Sequence, residues 1–494
     1  MGWLLIALLA APLLAAGLSL LPNQRLAPPA TLAAGLAVFA LAIAAALQVR
    51  NGDHLSALGG WTRLDSLGAV FLLATGLVYA SGAVFSIGYL RTRGFKRDAA
   101  AFSRRYFTYL NLFALTMVLV PLASDFGTLW IAVELTTIVS ALLVALDRTD
   151  AALEAAWKYV LIASAGLGIA LVAVILMYAA GAEALGSGYL PRFGTLIGAA
   201  GALDPGPVKV AFVLAAVGFG TKAGFAPVHT WLPDAHSEAP TPVSALLSGA
   251  LLVNAFYAIL RFYQVAVAAD GSTFPRHVLL VLGTASLVLA GLFVLTQRNY
   301  KRLLAYSSIE HMGVIALGVG FGAPLAVAGA LLHVINHAAA KGLAFFGAGS
   351  VLRRFDSKEI DEVKGGVVAL PWSGPMFLAA ALALSGVPLS GIFRSEFQIV
   401  SGGFAESAYV WVALLIVLVN LAFFGVIWQV GAMMLSSAQS PDGTPAQDVG
   451  ETSWWMVAAM AGCLVVVVGL GLHLPGPLGQ LLSHASHSLA SPAP

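Results

Sequence analysis

The sequence predicts an all-α polytopic membrane protein, and both its composition and its hydropathy pattern support this. Hydrophobic residues make up 59% of the 494 residues, and charged residues make up only 10%. Soluble domains carry roughly 25% charged residues, so no part of this chain has the polarity of a soluble catalytic domain. Apolar segments of about 20 residues, the length that crosses a bilayer, recur along the whole chain.

About fourteen transmembrane helices are predicted from these apolar segments. The first segment resembles a signal peptide in length, but no positively charged residue precedes it and many equally apolar segments follow. We therefore interpret it as the first membrane helix. The predicted spans are 3–21, 28–48, 66–90, 107–122, 126–145, 156–180, 207–226, 242–266, 276–296, 303–321, 323–350, 371–391 with a continuation to 402, 408–436 and 454–474.

Basic residues accumulate in the loops that follow the third, ninth and eleventh spans, all of them odd-numbered. Cytoplasmic loops of membrane proteins carry the excess of Lys and Arg. We therefore expect a multi-pass protein of the inner (cytoplasmic) membrane with both termini on the outer (periplasmic or extracellular) side. The basic residues are Arg91, Arg93, Lys96, Arg97, Arg104, Arg105, Arg298, Lys301, Arg302, Arg353, Arg354, Lys358 and Lys364.

Proline and glycine interrupt two predicted spans. The seventh breaks at Pro227, and the twelfth breaks between Gly386 and Gly391. The breaks lie five spans apart, and an odd offset reverses the direction of crossing, which is typical of inverted repeats with a path near the bilayer midplane. The predicted segments are 1–100 (helices 1–3), 101–270 (first inverted five-helix repeat, helices 4–8), 271–438 (second repeat, helices 9–13) and 439–494 (helix 14 and tail).

Two charged residues lie inside apolar spans of the first repeat. Lys222 precedes the break of the seventh span, and Glu134 lies in the fifth, within FGTLWIAVELTTIVSALLVAL. Charged residues at membrane depth are costly and mark ion pathways, and two opposite charges offset each other's desolvation. We predict a proton-transfer pair. The alternatives are a static ion pair and a lysine that extends to the membrane surface.

The eleventh span carries three titratable residues on one helix face. His333, His337 and Lys341 are spaced four residues apart, so they stack along the helix. Because histidine titrates near physiological pH, this stripe predicts a proton relay. A packed histidine stripe is one alternative. Metal chelation by the two histidines is another, but no carboxylate lies near them in sequence and no HExxH motif occurs, so no metal site is predicted.

The neighbouring tenth and twelfth spans add further titratable residues. Glu310 and His311 lie about two turns into the tenth span, where they can carry protons between the cytoplasmic side and the histidine stripe. A packing role at a helix interface is the alternative for both. Glu396 follows the break of the twelfth span, and Arg394 lies two residues before it.

The short segment after the break of the seventh span contains His229, Asp234 and His236. One aspartate and two histidines can hold a metal, but the segment is expected at a membrane surface, where capping or a proton entrance or exit fits better. In the eighth span, Asn254 is an isolated polar residue. Arg261, near the end of that span, is expected to extend to the membrane surface.

The sequence contains no motif for redox or hydrolytic chemistry. Cys463 is the only cysteine, which excludes internal disulfides and cysteine metal clusters, and no nucleotide loop, haem motif or nucleophile elbow occurs. We therefore expect no cofactor. A net charge of +2 gives no indication of nucleic-acid binding. The chain is expected to move protons or small cations, with the driving force supplied by a partner or an ion gradient.

The stretch FGTKAGFAPVHTWLPDAHSEAPTPVSALLSG resembles the antiporter-like subunits of respiratory complex I and their relatives in Mrp-type antiporters, group 4 NiFe hydrogenases and formate hydrogenlyase. Supporting stretches are LWIAVELTTIVSALLVAL, RNYKRLLAYSSIEHMG, HVINHAAAKGLAFF and SGVPLSGIFRSEF. The motif HSEAP is most similar to that of hydrogenase-4 component F. The resemblance implies fourteen transmembrane helices in two inverted five-helix repeats, with the seventh and twelfth helices broken.

The resemblance also implies roles for individual residues. Glu134 matches the family's acid in the fifth helix, and Lys222 matches its lysine partner in the broken seventh helix. Lys341 lies in the family's central axis, and Glu396 matches the terminal acid of the twelfth helix. The eighth helix, VNAFYAILRF, departs from the family because it lacks a lysine. Either water, Asn254 or the histidines therefore link the two half-channels, or the route is interrupted there.

The expected function is a proton-translocating antiporter-like membrane subunit of a redox-driven complex of the group 4 hydrogenase or complex I type. Its expected partners are other membrane subunits, soluble hydrogenase-like or NADH dehydrogenase-like redox subunits, the lipid bilayer, and protons or Na⁺. Three alternatives stay open: a subunit of a Mrp-type Na⁺/H⁺ antiporter, the membrane subunit of an energy-coupled inorganic-carbon uptake system, and a membrane anchor that transports nothing.

Overall fold

The computed structural model describes residues 2–23, 25–92, 99–437 and 449–490, which fold almost entirely into helices. Three basic residues that contribute to the predicted orientation, Arg93, Lys96 and Arg97, lie outside the described residues. So does the boundary between the second repeat and the last predicted segment, at 438 and 439.

Twenty α-helices follow one another along the described chain. The first seven are α1 (Trp3–Leu20), α2 (Ala27–Val49), α3 (Ser66–Arg91), α4 (Ala99–Leu122), α5 (Phe126–Val144), α6 (Asp150–Leu185) and α7 (Phe193–Gly198). The next seven are α8 (Pro205–Ala223), α9 (Trp231–Glu238), α10 (Thr241–Leu246), α11 (Leu252–Asp270), α12 (Thr273–Val294), α13 (Tyr300–Phe321) and α14 (Pro324–Phe355). The last six are α15 (Gly366–Ala369), α16 (Ser373–Leu384), α17 (Gly391–Ala405), α18 (Tyr409–Leu435), α19 (Trp454–Leu472) and α20 (Gly476–Ala490).

Every predicted span is occupied by helix, and twelve helical units of the described chain are long and apolar enough to cross a membrane. The unit that runs from α10 to α11 and the helix α13 are completely buried over their most apolar windows, whereas α6 is buried over 33% and α18 over 28% of theirs. The first two therefore form the centre and the other two face the surroundings. Neither α14 nor the α16 and α17 pair is among the twelve, so the count of fourteen crossings stays a prediction.

Both predicted interruptions are present. Helix α8 ends at Ala223 and is capped by Gly224, whose φ of 83° is left-handed, and only the short α9 precedes the next span. Helix α16 ends at Leu384, and α17 begins at Gly391 after Ser390, whose hydroxyl accepts the Phe393 N–H. Glycine tolerates the left-handed region without a Cβ clash, which explains why the helix ends there.

Two isolated backbone bridges join loops of the described chain in pairs. In one, Asn299 bridges to Glu359, which joins the loops after the ninth and eleventh spans. In the other, Asp125 bridges to Arg192, which joins the segments after the fourth and sixth spans. Each bridge joins two loops that the predicted alternation places on the same side, while the alternation itself and the assignment of one side to the cytoplasm stay predictions.

Arg261 corrects one expectation from the sequence. Its side chain is only 4% exposed and does not extend to the membrane surface. Instead it donates a 2.7 Å hydrogen bond to the Asp65 carboxylate, which caps α3, and further hydrogen bonds to Tyr257 and Gln264. A buried guanidinium needs such partners because its desolvation is otherwise uncompensated.

Candidate functional site

The first group of predicted residues lies where α5, α6 and α8 meet. The Lys222 side chain is completely buried. Its amine donates to the Thr137 hydroxyl and lies 5.3 Å from the centre of the Tyr159 ring. Glu134 accepts a 3.2 Å hydrogen bond from Ser164 through Oε1, and its Oε2 has no hydrogen-bond partner among the described residues. We call these residues the lysine–glutamate cluster: Glu134, Thr137, Tyr159, Ser164 and Lys222.

Glu134 and Lys222 share this cluster without a direct ion pair, which differs from the pairing that the sequence predicts. The carboxylate binds Ser164 on α6, and the amine binds Thr137, one helical turn beyond Glu134 on α5. The Glu134 charge still acts on Lys222 electrostatically. Because a hydroxyl both donates and accepts, Thr137 can link the amine to the carboxylate through water.

Close packing of α6 against α8 fixes the position of Lys222. A Cβ on Gly218 would lie 2.5 Å from the backbone nitrogen of Ala170, and a Cβ on Gly166 would lie 2.6 Å from Thr221. Small residues let two membrane helices approach this closely. The approach brings Lys222 beside the aromatic ring that α6 contributes.

The second group lies where α13, α14 and α17 meet. Nδ1 of His311 is 3.0 Å from Nε2 of His333, and Nδ1 of His333 is 2.9 Å from the Ser395 hydroxyl. The ring centres of His311 and His337 are 5.2 Å apart. All three histidines are completely buried. We call these residues the histidine cluster: His311, His333, His337, Lys341 and Glu396.

Lys341 lies one turn beyond His337 and faces α13. Its amine donates to the Leu304 carbonyl at 3.0 Å and to the Ser307 hydroxyl. Glu310, which is buried in α13, interacts electrostatically with both Lys341 and Glu396. Glu310 of the tenth span therefore lies within electrostatic range of both the lysine and the glutamate.

Glu396 reaches the edge of the histidine cluster from α17. It lines a cavity of about 230 Å³, whose other polar side chains are Ser385 and Asn420. A Cβ on Gly386 would lie 2.5 Å from Glu396 Oε2, and the φ of Gly386 is 66°. The glycine at the break of the twelfth span is therefore needed both for the turn and for the position of the carboxylate.

A π-helical segment, Leu247–Leu251, brings the eighth span against the histidine cluster. The carbonyl oxygen of Ser248 lies 3.3 Å from Nε2 of His337, and its hydroxyl lies 2.8 Å from that of Ser308. Single π turns inside α-helices occur frequently at functional sites. The eighth span thus contacts the histidine stripe through Ser248, although it carries no lysine.

Asn254 and Arg394 point away from both clusters. The Asn254 amide donates 3.1 Å hydrogen bonds to the Thr75 hydroxyl and the Met117 carbonyl, on α3 and α4. Arg394 lies 3.5 Å from the Leu470 carbonyl of α19. Asn254 was one of the possible links between the half-channels that the sequence left open. It faces the N-terminal helices α3 and α4 and neither of the two clusters.

The segment after the break of the seventh span, which includes α9, contacts the start of α13 after the ninth span. Asp234 accepts hydrogen bonds from Arg302 and, at 3.4 Å, from Lys158. His236 stacks on Phe345 with 5.3 Å between ring centres, and His229 is 5% exposed. Among the described residues these side chains form no metal-ligand group. The ion pairs give Asp234 a structural role there, whereas His229 and His236 are buried.

Three hydroxyl groups that contact predicted site residues were not expected from the sequence. The hydroxyls of Thr137, Ser164 and Ser395 contact Lys222, Glu134 and His333, respectively. Hydroxyls are common in membrane helices, where they often bond their own backbone. A usable signal was present only for Thr137, which lies one turn from Glu134.

The chain matches the family described as "NADH:quinone oxidoreductase/Mrp antiporter, TM" over residues 123–425. A hydrogenase-4 component F homolog from Methylacidiphilum infernorum is 33% identical over 432 residues, covering 87% of this chain and 88% of that protein. NADH-quinone oxidoreductase subunit N from Thiobacillus denitrificans is 31% identical over 455 residues, covering 90% and 89%. A chain in the structure of the membrane-bound sulfane sulfur reductase, an archaeal respiratory membrane complex, has a TM-score of 0.85 at 24% identity and 98% coverage of both chains.

The matched range contains every residue of both clusters and both broken spans. It confirms the resemblance that the sequence motifs indicate, and the structural likeness extends the same fold over almost the whole chain. The relative from Methylacidiphilum infernorum is named as a homolog of hydrogenase-4 component F, the subunit that the HSEAP motif resembles. The chain therefore belongs to the NADH:quinone oxidoreductase/Mrp antiporter family, as an antiporter-like membrane subunit.

Proposed function

We propose that the chain translocates protons as a subunit of a redox-driven membrane complex of the group 4 hydrogenase or complex I type. The observation that carries this proposal is the buried run from His311 through His333 to Ser395, which joins three helices. Imidazole and hydroxyl groups both donate and accept, so such a run can pass a proton by successive transfers. Family membership and the names of the relatives support the choice of complex.

In this proposal the lysine–glutamate cluster forms the first half-channel. Glu134 is half-buried, and Ile131 and Ile138 on the same helix are 52% and 55% exposed. A neighbouring membrane subunit that packs on this face of α5 can therefore change the charge of Glu134. That change alters how strongly Lys222 holds its proton, because the two groups interact electrostatically.

The histidine cluster forms the second half-channel. Protons pass along the face of His333, His337 and Lys341 and leave near Glu396, whose carboxylate reaches a cavity. Water together with Ser248 links the two halves. The two inverted repeats extend over 101–270 and 271–438, and the protein lies in the cytoplasmic membrane with both termini outside.

The first test is the identity of the partners. The protein is purified from native membranes in mild detergent, and the accompanying subunits are identified by mass spectrometry. Soluble hydrogenase-like or NADH dehydrogenase-like redox subunits are expected. Recovery of small membrane antiporter subunits alone would favour cation/proton exchange, a second candidate that the family description also names. A single large soluble zinc protein would point to inorganic-carbon uptake instead.

The second test addresses transport itself. The complex is reconstituted in vesicles, and Lys222→Ala or Glu134→Ala is expected to abolish coupled proton uptake while assembly is preserved. Lys209→Ala is the matched control, because Lys209 lies on the same helix but forms a partly exposed ion pair with Asp270. Uptake at the wild-type rate in both cluster variants would show that the path does not run through this cluster.

A further inference from the structure

The fold brings a carboxylate to the histidines that the sequence places far from them. Glu396 of α17 joins His311 of α13 and His333 of α14, and one ligand atom from each lies within 4.8 Å of the other two. Two imidazoles and one carboxylate are a donor set that Zn²⁺ takes in proteins. No sequence pattern indicates this group, since Glu396 lies 63 positions after His333.

The spacing of the two imidazoles suits a bound ion. Zn²⁺ binds histidine nitrogen at about 2.0–2.1 Å in tetrahedral geometry, so two of its ligands lie roughly 3.3 Å apart. Nδ1 of His311 and Nε2 of His333 are 3.0 Å apart. An ion can therefore replace the proton that the two rings share after a displacement of a few tenths of an ångström. Glu396 completes the set by a change in its side-chain rotamer.

Ser395 holds His333 in the tautomer that coordination requires. The Ser395 hydroxyl donates to the Ile392 carbonyl at 2.8 Å, so it accepts from Nδ1–H of His333 at 2.9 Å. Nε2 of His333 is then left with its lone pair toward His311. Metal-ligating histidines usually donate their second ring N–H to such a partner, which orients the ring.

One buried oxygen of the group lacks a hydrogen-bond partner. Oε1 of Glu396 has none among the described residues. Unpaired buried polar atoms are costly, so they point to something that binds there. The cavity of about 230 Å³ beside Glu396 has room for the water that would complete the coordination.

We propose that His311, His333 and Glu396 bind a divalent transition-metal ion of the Zn²⁺ type. On binding, His311 changes tautomer: Nδ1 gives up its proton and Nε2 takes one up, so that both rings coordinate as neutral imidazoles. The ion occupies the contact that joins α13 to α14, and so it interrupts the hydrogen-bonded run. Binding itself is independent of the proposed function, whereas inhibition of transport by the ion rests on it.

The test measures metal binding by the purified full-length protein with the subunits that accompany it. After chelator treatment, Zn²⁺ is titrated against a fluorescent competitor, and Co²⁺ is added separately to record its visible absorption. We expect one equivalent of bound ion and a Co²⁺ spectrum of low-symmetry, nearly tetrahedral coordination. The variants Glu396→Gln and His333→Gln are expected to weaken binding by at least tenfold, and Ser395→Ala by about tenfold.

Surface histidines must be removed from the measurement. His484 and His487 lie three residues apart on the exposed side of α20, so all titrations use the His484→Ala/His487→Ala background. His277→Ala, at another exposed position, is the control that should leave binding unchanged. Glu396→Gln keeps the shape of the side chain, and an unchanged elution profile verifies its folding.

Two results would overturn the proposal. One is loss of all stoichiometric binding in the background that lacks His484 and His487. The other is binding that Glu396→Gln and His333→Gln leave unchanged. A protein that binds the ion at this site but moves no protons would instead refute the proposed function and leave the metal site standing.

Discussion

The lysine–glutamate cluster and the histidine cluster occupy corresponding parts of the two predicted repeats, yet their groups are connected differently. In the first, the two charged residues are held by separate hydroxyls, and Glu134 is half-buried. In the second, two imidazoles are in direct contact at 3.0 Å, and every histidine is completely buried. The first arrangement suits a site that responds to an outside charge, and the second suits conduction.

In the proposed function, the two repeats therefore have different tasks: the first responds to an outside charge, and the second conducts protons. A change in the charge of the half-buried Glu134 alters the electrostatic potential at Lys222. This influence acts through space and needs no continuous chain of hydrogen bonds. Transfer between buried imidazoles depends on contact, because no bulk water is available to replace a missing group. The two halves should therefore respond differently to the loss of one side chain.

The largest effect is expected from the loss of His333. The variant His333→Ala removes both hydrogen bonds that join α13, α14 and α17, and coupled proton uptake in vesicles should fall about 100-fold or more. His277→Ala, which alters an exposed histidine of α12, should leave uptake unchanged. If His333→Ala kept most of its uptake, the second half would not conduct through imidazole contact, and the contrast between the clusters would disappear.

A smaller effect is expected at Thr137. The variant Thr137→Val removes the hydroxyl that accepts from Lys222 and leaves the ammonium without that partner, at a cost of about 1–3 kcal/mol. Proton uptake should fall about tenfold. Thr136→Val is the matched control, because the Thr136 hydroxyl donates to the Val133 carbonyl of its own helix. Equal losses in the two variants would mean that packing, and not the contact with Lys222, is responsible.

The smallest effect on transport is expected from Asp65, which lies outside both clusters. Burial alone raises the pKa of the Asp65 carboxyl, but the Arg261 guanidinium and the Gly68 N–H together hold it below its ordinary value of 3.8. A lowered pKa stabilises the fold above the unfolded value, and this contribution is lost as the pH falls through the folded value. The variant Asp65→Asn should therefore lower the melting temperature at neutral pH by the equivalent of about 1–3 kcal/mol.

The effect of Asp65→Asn on the melting temperature should also depend on pH, which is measured in a separate series. The difference in melting temperature between wild type and Asp65→Asn should narrow below about pH 4 and stay constant above it. Asp53→Asn, at an exposed position, should show no difference at any pH. If the difference in melting temperature stayed constant down to the lowest pH, the loss of stability would come from the changed shape of the side chain and not from the lost charge of Asp65.

Local signals in the sequence predicted the spans and the broken helices. Pro227 and Gly386 are residue types that favour helix interruption, so both interruptions could be placed without a structure. The stripe of His333, His337 and Lys341 follows from helical spacing alone. These features depend on neighbours in sequence, which a single chain displays directly.

Contacts between distant helices could not be predicted in the same way. The meeting of Glu396 with His333 depends on how α17 packs on α14, and the separate anchoring of Glu134 and Lys222 depends on the approach of α6 to α8. Arg261 was expected at the membrane surface because its partner, Asp65, lies nearly 200 residues earlier. Contacts between side chains on different helices leave no periodic pattern in the sequence, so only the fold reveals them.

The π-helical segment Leu247–Leu251 has a consequence for numbering along the eighth span. An α-helix turns about 100° per residue, and a π turn holds one residue more than an α turn, so every later side chain is rotated by about that angle. Ser248 faces the histidines, while Asn254 faces α3 and α4. Any ungapped alignment of this helix to a regular α-helix therefore compares residues on different faces from position 252 onward.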